Sequence, residues 1–283
     1  MKDLLHTPEG VRDIYNGEYR QKLEIESAIH EVFTSSGYMD IQTPTFEYFN
    51  LFDSDIGTTP GKDLYRFTDR DGETVVLRSD FTPSIARCAA KYFLEEQGVL
   101  KFTYKGNTFS QTGELQGKLR ETTQMGVEMI GDDSIDADVE MLKLSFDAIK
   151  AVSDKNFVIS VSHIEYFKGL CEELGIAGEY ELKLRDLITN KNFVAARQFL
   201  ESRPSTAFCL SDDAIEKILK IEDLAGGYEI LDKALALASN DRSIAAIKRL
   251  KDMHDSLKAL GLDDKIAYDL SMLNKYTYYT GVV

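Results

Sequence analysis

The sequence predicts an α+β protein in which a mostly antiparallel sheet, flanked by helices, is interrupted by a mostly helical insertion. Helical periodicity and short β-rich segments alternate through residues 1–165. Between residues 166 and 261 helical patterns dominate and β signals nearly vanish. β character returns after Gly261. We therefore assign residues 1–165 and 262–283 to one α+β core and residues 166–261 to the insertion.

A long helix opens the predicted core. Apolar side chains recur at helical spacing from about Asn16, and Gly37 ends the pattern. The next segment, residues 41–46, contains a proline and predicts a short extended segment, either at an edge of the sheet or at a strand end. A hairpin follows, because two β-rich segments flank the turn signal Asp71-Gly72. Its two strands are residues 65–68 and 74–78.

A second helix and a pair of long strands come next. Thr82 is placed as the N-cap of this helix, with Pro83 at the first helical position, and Gly98 ends it. Two segments that read as strands then form an antiparallel pair around a loop. The remaining elements of the predicted core are strands 101–109 and 121–130, a helix opening at Asp136 or Asp138, strand 157–162, and β segments 266–270 and 276–283.

The composition disfavours several classes of function. The chain carries 33 Lys and Arg against 48 Asp and Glu, a net charge of −15, which disfavours a general nucleic-acid-binding surface. Three cysteines lie far apart and four histidines are scattered, so neither a disulfide framework nor a metal site is expected. No segment has the length of a membrane span. We expect a cytoplasmic protein without a cofactor.

The segment 124–130 carries the most informative polar pattern. Strand side chains alternate between faces, so the apolar residues at positions 125, 127 and 129 are predicted to face the core. Gln124 and Glu128 point the other way, with Gly126 between them. This arrangement predicts a shallow polar slot for a small ligand with hydrogen-bond donors, such as an ammonium or an imidazole. An ordinary solvated strand face with a glycine bulge is the alternative.

Other polar residues allow both a structural and a binding role. A role as helix N-cap would account for Thr82. The partial positive charge at the start of the helix would favour the negative charge of Asp80 at that position. Arg78 and Arg120 would pair either phosphates or surface acids, and the surface pairing is favoured for isolated arginines. The tyrosines near the end of the chain either line a pocket or fill a core strand.

Six segments occur in a telling order: Pro-Glu-Gly-Val-Arg-Asp (8–13), residues 37–44, Leu-Arg-Ser-Asp-Phe-Thr (77–82), Lys-Gly-Asn-Thr-Phe (105–109), Gln-Met-Gly-Val-Glu (124–128) and Tyr-Tyr-Thr-Gly (278–281). Together they resemble the catalytic core of histidyl-tRNA synthetases, a class II synthetase fold. The resemblance covers nearly all of the chain outside the helical insertion. In that family the second segment corresponds to motif 1, and the fourth and fifth correspond to motif 2.

The departures from this family concern catalysis. The resemblance implies that Ser110 and Thr112 stand where active synthetases carry an arginine and a glutamate of motif 2. Asn274 stands where they carry a second essential arginine. Without these two cations, the charge that develops on the α-phosphate loses stabilisation worth orders of magnitude in rate. We therefore assign no catalytic residue and expect no synthetase activity.

The positions that bind histidine in the family are largely retained. The resemblance implies that Asp80, Thr82 and Gln124 take the α-ammonium group, while Glu128 and Tyr279 take the imidazole. It adds Tyr278 to the site, and it leaves Arg120 to serve either the ligand carboxylate or the fold.

A histidine pocket without an activation apparatus resembles the ATP phosphoribosyltransferase regulatory subunits, which are paralogues of the synthetases in histidine biosynthesis. Residues 117–128 and 269–273 are especially similar to them. The resemblance implies a non-catalytic subunit that binds L-histidine for feedback control and is needed by a short-form catalytic subunit. It also implies a self-dimer through the motif 1 region.

Two other functions stay open at this point: a divergent enzyme that forms an aminoacyl adenylate, and an RNA- or protein-binding module that reuses the fold. Residues 278–283 stop where the family continues into motif 3. We therefore expect the core to be C-terminally incomplete.

Overall fold

The computed structural model describes residues 5–52, 61–111, 117–202, 210–273 and 279–283. The chain forms two compact units. The first unit comprises residues 1–133 and 142–154, and the second comprises residues 134–141 and 155–283.

The first unit contains helices on both sides of its main sheet. Its elements are α1 (Asn16–Ser35), β1 (Met39–Asp40), β2 (Phe46–Tyr48), β3 (Arg66–Thr68), β4 (Thr74–Leu77), α2 (Thr82–Tyr92), β5 (Leu100–Phe109) and β6 (Glu121–Ile130). Helix α3 (Ile135–Val152) starts within the second unit and continues into the first.

Two sheets organise these elements. In the main sheet, β5 pairs with β1 in parallel and with β6 in antiparallel orientation. The register of the β5–β6 pair places Tyr104 opposite Gly126 and Phe102 opposite Glu128. A smaller antiparallel sheet has the order β2-β4-β3, and Val76 on its central strand packs against buried Phe52.

The second unit is mostly helical around a small sheet. Its sheet has the order β7-β9-β8, with β7 and β9 parallel. Tyr166 and Tyr268 are among the largest fully buried side chains of the described chain. Its elements are β7 (Ile159–Val161), α4 (Ile164–Glu173), α5 (Glu179–Thr189), α6 (Phe193–Glu201), α7 (Asp212–Leu219), β8 (Ala225–Gly226), α8 (Glu229–Leu237), α9 (Asp241–Ala259) and β9 (Ile266–Asp269).

The predicted α+β class and the helical character of residues 166–261 are confirmed. The second unit, however, takes in β7 and β9, two strands that the sequence assigns to the core. The boundaries of a core at 1–165 and 262–283 with an insertion at 166–261 therefore stay a prediction.

Of the two predictions for residues 41–46, an edge strand or a strand end, the structure agrees with the second. Strands lie on either side of this segment, at β1 and β2, and residues 41–45 are not part of a strand. The carbonyl oxygens of Thr43 and Pro44 instead accept hydrogen bonds from the Arg78 guanidinium. The Arg78 side chain thus serves the middle of this segment, while at its ends Ile41 N–H donates to the Thr103 carbonyl and the Thr45 carbonyl accepts from the Arg78 N–H, both at 2.9 Å.

Two element ends also differ from the prediction. Helix α2 stops at Tyr92 rather than near residue 96, where Phe93 and Glu96 form a further turn. Of the predicted strand 276–283, residues 276–278 lie outside the described residues. At its end, Ser162 and Val283 exchange backbone hydrogen bonds, and His163 pairs with Val282.

Candidate functional site

The polar slot predicted on β6 lies on the face that helix α2 covers. Gln124, Gly126 and Glu128 share this face, as the alternation predicts. Their β5 neighbours Phe102 and Tyr104 are buried there in a cluster with two α2-side residues, Phe81 and Ile85. This face is therefore the core face of the sheet.

The sequence predicts the opposite face of β6 to be the core, yet the β6 residues on this face are no more buried than those of the slot face. Met125, Val127 and Met129 are only half-buried. Met125 instead lines an open groove of about 730 Å³ beside Ile25 of helix α1. The pattern of β6 alone misleads because the aromatic residues that draw α2 onto the sheet belong to the partner strand β5.

Thr82 and Glu128 form the central contact of the site. The hydroxyl of Thr82 donates a hydrogen bond of 2.6 Å to Oε1 of Glu128. Thr82 is the first residue of α2, and the N-cap position is Phe81, whose side chain makes no capping bond. The prediction of Thr82 as N-cap is therefore wrong, because its hydroxyl faces the sheet instead of the end of the helix.

Asp80 lies immediately before the helix. Its Oδ1 accepts a hydrogen bond of 2.7 Å from the backbone N–H of Phe81. Asp80 is half-buried and close enough to Glu128 for their negative charges to interact. The structure therefore brings Asp80, Thr82 and Glu128 together from two elements that are far apart in sequence.

The Glu128 carboxyl group is electrostatically disfavoured in its charged form. Burial raises its pKa, the hydrogen bond from Thr82 lowers it, and the negative charge of Asp80 raises it; the net pKa is raised above the ordinary glutamate value. Within the described chain, Oε2 of Glu128 accepts no hydrogen bond. A ligand that brings a donor or a positive charge would stabilise this carboxylate.

Tyr104 was missed by the sequence interpretation. A Cβ atom built on Gly126 would lie 2.5 Å from the Tyr104 hydroxyl oxygen, so the tyrosine ring covers the position that was predicted to be an open slot. Gln124 Nε2 donates a hydrogen bond of 3.2 Å to this hydroxyl. An aromatic residue directly opposite a glycine in an antiparallel pair is the signal that would have found it.

Arg78 is a buried residue, only 6% exposed. Its Nε donates to the carbonyl oxygen of Asn107 at 2.9 Å, and its Nη1 donates to those of Thr43 at 3.0 Å and Pro44 at 3.2 Å. Burial lowers the pKa of the guanidinium, and the charge of Glu47 partly offsets this. The favoured interpretation of Arg78 as a surface partner of acids is wrong, because its partners are carbonyl groups contributed by distant segments.

The guanidinium of Arg78, the ring of Phe81 and the ring of Tyr104 form a stack. The Cζ atom of Arg78 lies 4.0 Å from the Phe81 ring centroid. The Phe81 and Tyr104 rings are nearly parallel with centroids 4.4 Å apart. Gly106 permits the stack, since a Cβ atom there would overlap Nη2 of Arg78 and lie 2.9 Å from the Phe81 ring.

Arg120 is not brought to this cluster. It precedes β6 by one residue and lies eight positions from Glu128, about 26 Å along an extended strand. Its guanidinium approaches the Glu9 carboxylate at 3.8 Å, and its backbone N–H donates to Gly10 at 2.7 Å. The backbone N–H of Ser110 donates to the Arg120 carbonyl at 3.0 Å.

The remaining predicted residues do not belong to the described part of the first unit. Tyr279 belongs to the second unit, where its carbonyl oxygen accepts a hydrogen bond of 3.4 Å from Lys168. Tyr278, Asn274 and Thr112 lie outside the described residues. The roles inferred for them stay predictions.

No three His, Cys, Asp or Glu side chains among the described residues cluster in a way that could hold a metal ion. No helix in the described ranges combines the length and apolar character needed to cross a bilayer.

Comparison with known proteins identifies the broad class to which this chain belongs. The family described as "Histidyl-tRNA synthetase" matches residues 10–283, so this is a histidyl-tRNA synthetase-like protein with the class II fold. A crystal structure of an ATP phosphoribosyltransferase regulatory subunit/histidyl-tRNA synthetase from Bacillus halodurans is similar, with a TM-score of 0.89 at 27% identity. The match covers 100% of this chain and 72% of that one.

Comparison with curated relatives identifies a narrower family within this class of proteins. The ATP phosphoribosyltransferase regulatory subunit of Acetivibrio thermocellus is 35% identical over 99% of this chain and 66% of its own length. The protein of the same name from Clostridium kluyveri is 31% identical over 98% of this chain and 70% of its length. The chain therefore belongs to the family of ATP phosphoribosyltransferase regulatory subunits, and it spans about two thirds of the length of these relatives.

Proposed function

We propose that this chain acts as a non-catalytic regulatory subunit of ATP phosphoribosyltransferase and binds L-histidine for feedback control. The observation that carries the proposal is the Thr82–Glu128 hydrogen bond, which leaves Oε2 of Glu128 without a partner in the described chain. Asp80 adds a second acidic group to the same cluster. Two acidic groups in a partly buried cluster favour a ligand with two donor groups, and histidine has an ammonium and an imidazole.

The hydrogen-bonding capacity of each residue suggests how histidine binds. Glu128 accepts from an imidazole N–H, and Asp80 accepts from the α-ammonium group. Thr82 has already donated its single proton to Glu128, so its oxygen is left to accept. Gln124 donates to Tyr104 through Nε2, which leaves its Oε1 as a further acceptor for the ammonium group. Tyr278 and Tyr279 are proposed to complete the imidazole site.

Catalysis is not part of the proposal. The resemblance puts Ser110 where active synthetases carry the motif 2 arginine, and a serine brings no charge to stabilise the α-phosphate of ATP during adenylate formation. The family name of the relatives implies a catalytic partner, and we propose a short-form ATP phosphoribosyltransferase catalytic subunit. Feedback then requires that histidine bind one state of the complex more tightly than another.

The regulatory role is tested with the reconstituted complex. The activity of the short-form catalytic subunit is measured alone, with this chain, and with this chain and L-histidine. We expect activity to depend on the chain and to fall as histidine is added. A catalytic subunit that is fully active alone, and unchanged by this chain, would contradict the proposal.

We also propose a self-dimer through helix α1, which leads into the motif 1 segment. The groove beside α1 is lined by Ile25, Leu119 and Met125, and Tyr19 and Leu23 on the same helix are 48% and 44% exposed. Light scattering coupled to size exclusion should give a dimer, and Ile25→Asp should give a monomer. Leu260→Asp, at an exposed apolar residue of the second unit, is the matched control. A monomeric unmodified chain would contradict this part.

A further inference from the structure

We propose that Arg78 binds the carboxylate of the amino-acid ligand through its Nη2 group. This inference rests on the proposed function, because it concerns the same ligand and the same site. It assigns a binding role to a residue that sequence interpretation placed at the surface.

The hydrogen bonds of Arg78 within the described ranges use two of its three guanidinium nitrogens. Nε and Nη1 donate to three backbone carbonyl oxygens. Nη2 has no hydrogen-bond acceptor within the described ranges, although the residue is 94% removed from solvent. A guanidinium offers five N–H donors, so the two on Nη2 are available to an anion.

The position of Nη2 is fixed by Gly106. The glycine leaves space for Nη2 at the sheet surface, since a Cβ atom there would overlap it. Gly106 lies directly opposite Gln124 in the β5–β6 register, on the same face as Glu128. Nη2 therefore lies at the Gln124 end of the row of side chains that ends in Glu128.

The charges along this row match a zwitterion. Glu128 supplies negative charge for the imidazole, Asp80 supplies it for the α-ammonium group, and Arg78, two residues before Asp80, supplies positive charge for the carboxylate. The Cα atoms of Gln124 and Glu128 are about 13 Å apart along the strand, a distance that the side chains shorten by reaching toward the ligand. The Tyr104 ring covers Gly126 in the middle of this row, so an amino acid bound beside that ring would present its carboxylate to Arg78 and its imidazole to Glu128.

The electrostatic surroundings of the Arg78 guanidinium favour binding of an anion. No carboxylate of the described chain lies within ion-pair distance of its guanidinium, and the nearby Glu47 is paired with Arg87 at 2.7 Å. A buried cation stabilised only by carbonyl groups and an aromatic ring retains part of its desolvation cost. A ligand carboxylate at Nη2 would offset that cost.

The alternative cation is Arg120, which lies at the far end of β6 beside Glu9. The two arginines make different predictions. If Arg78 holds the carboxylate, changes near Gly106 alter carboxylate recognition and changes at Arg120 do not.

The test compares ligands that differ only in the carboxylate. L-histidine and L-histidinol are titrated into the full chain by calorimetry. A charge-assisted hydrogen bond predicts that histidine binds about 10- to 100-fold more tightly than histidinol. In Gly106→Ala, which displaces Nη2 but keeps the charge, this preference should fall below about threefold. Arg78→Gln is the second variant, and Arg120→Gln is the control that should keep the full preference.

The outcomes separate this inference from the proposed function. If the unmodified chain binds both ligands equally, the Arg78 inference is overturned while histidine binding stands. If it binds neither ligand, the proposed function fails as well. If Arg120→Gln removes the preference, Arg120 is the anchor and the inference is again overturned; this result does not depend on whether the variants at 78 and 106 fold.

Discussion

The hydroxyl of Thr82 donates to the carboxylate of Glu128 across 2.6 Å, joining the first residue of helix α2 to strand β6. The two residues are 46 positions apart in sequence. The contact fixes the orientation of one carboxylate oxygen and leaves the other oxygen to a ligand. Both the proposed ligand geometry and its pH dependence follow from it.

The Thr82 hydroxyl should matter more than the shape of the side chain. Thr82→Val keeps the size but removes the donor, so the Glu128 carboxylate loses the hydrogen bond that stabilises it. We expect histidine affinity to fall by roughly 10-fold, which corresponds to about 1.4 kcal/mol. Calorimetric titration measures this. Thr82→Ser restores a hydroxyl and should recover most of the affinity; equal losses in both variants would contradict the assigned hydrogen bond.

The raised pKa of Glu128 predicts a specific pH dependence of stability. Because the folded-state pKa lies above the unfolded value, the unfolded chain gives up this proton first as pH rises. The contribution of Glu128 to stability is therefore fully present below the ordinary glutamate pKa and is lost as pH rises through the raised value.

The measurement compares urea unfolding of the unmodified chain and Glu128→Gln without ligand, from pH 4 to pH 8. The variant should gain stability relative to the unmodified chain as pH rises. A difference in unfolding free energy that stays constant over this range would show that Glu128 does not have a raised pKa.

His163 should make the second unit sensitive to acid. It is buried, and its Nδ1 accepts a hydrogen bond from the backbone N–H of Glu165 at the start of α4. Burial and the charge of Arg249 lower its pKa to about 4, against the opposing effects of Glu165 and Asp138. A depressed histidine pKa gives stability that is present above pH 6.5 and lost as pH falls toward 4.

We expect His163→Asn, which keeps a side-chain cap but does not titrate, to reduce the loss of unfolding free energy between pH 7 and pH 4.5 by about 2 kcal/mol. Chemical denaturation at the two pH values gives the comparison. His254→Asn, at a half-buried histidine on helix α9, is the control. Identical acid sensitivity in the unmodified chain and His163→Asn would contradict the prediction.

Gly126 should be intolerant of a side chain. A Cβ atom would lie 2.5 Å from the oxygen and 2.7 Å from Cζ of Tyr104, so Gly126→Ala must displace a buried ring. We expect a cost of about 1–3 kcal/mol in the free energy of unfolding. Gly17→Ala, in helix α1 with no atom within 4 Å of the new Cβ, should be neutral or stabilising. Equal stability of the two variants would rule out the close approach of Tyr104.

Alternation along the chain was enough to predict β5, β6 and the shared face of Gln124, Gly126 and Glu128, because side-chain period is a local property. Which face of β6 packs against α2 could not be predicted from the β6 sequence alone. It depends on Phe102 and Tyr104 of β5, which become neighbours of β6 only through the strand register.

Two other misinterpretations have a similar cause. Thr82 fits the chemistry of an N-cap, but the helix begins one residue earlier than predicted and turns the hydroxyl toward Glu128. The partners of Arg78 are backbone carbonyl groups of Thr43, Pro44 and Asn107. Every residue has such a group, so residue types do not show which ones a side chain will bind. Pairing of a side chain with distant backbone is known only once the fold is known.

The most direct test of the account is a calorimetric titration of L-histidine into the unmodified chain and into Glu128→Gln. Glu121→Gln is the matched control, because this carboxylate lies on the opposite face of the same strand and accepts a hydrogen bond from Asn107 at 2.6 Å. The account predicts saturable binding to the unmodified chain and to Glu121→Gln, and none measurable to Glu128→Gln. Unchanged affinity in Glu128→Gln would contradict it.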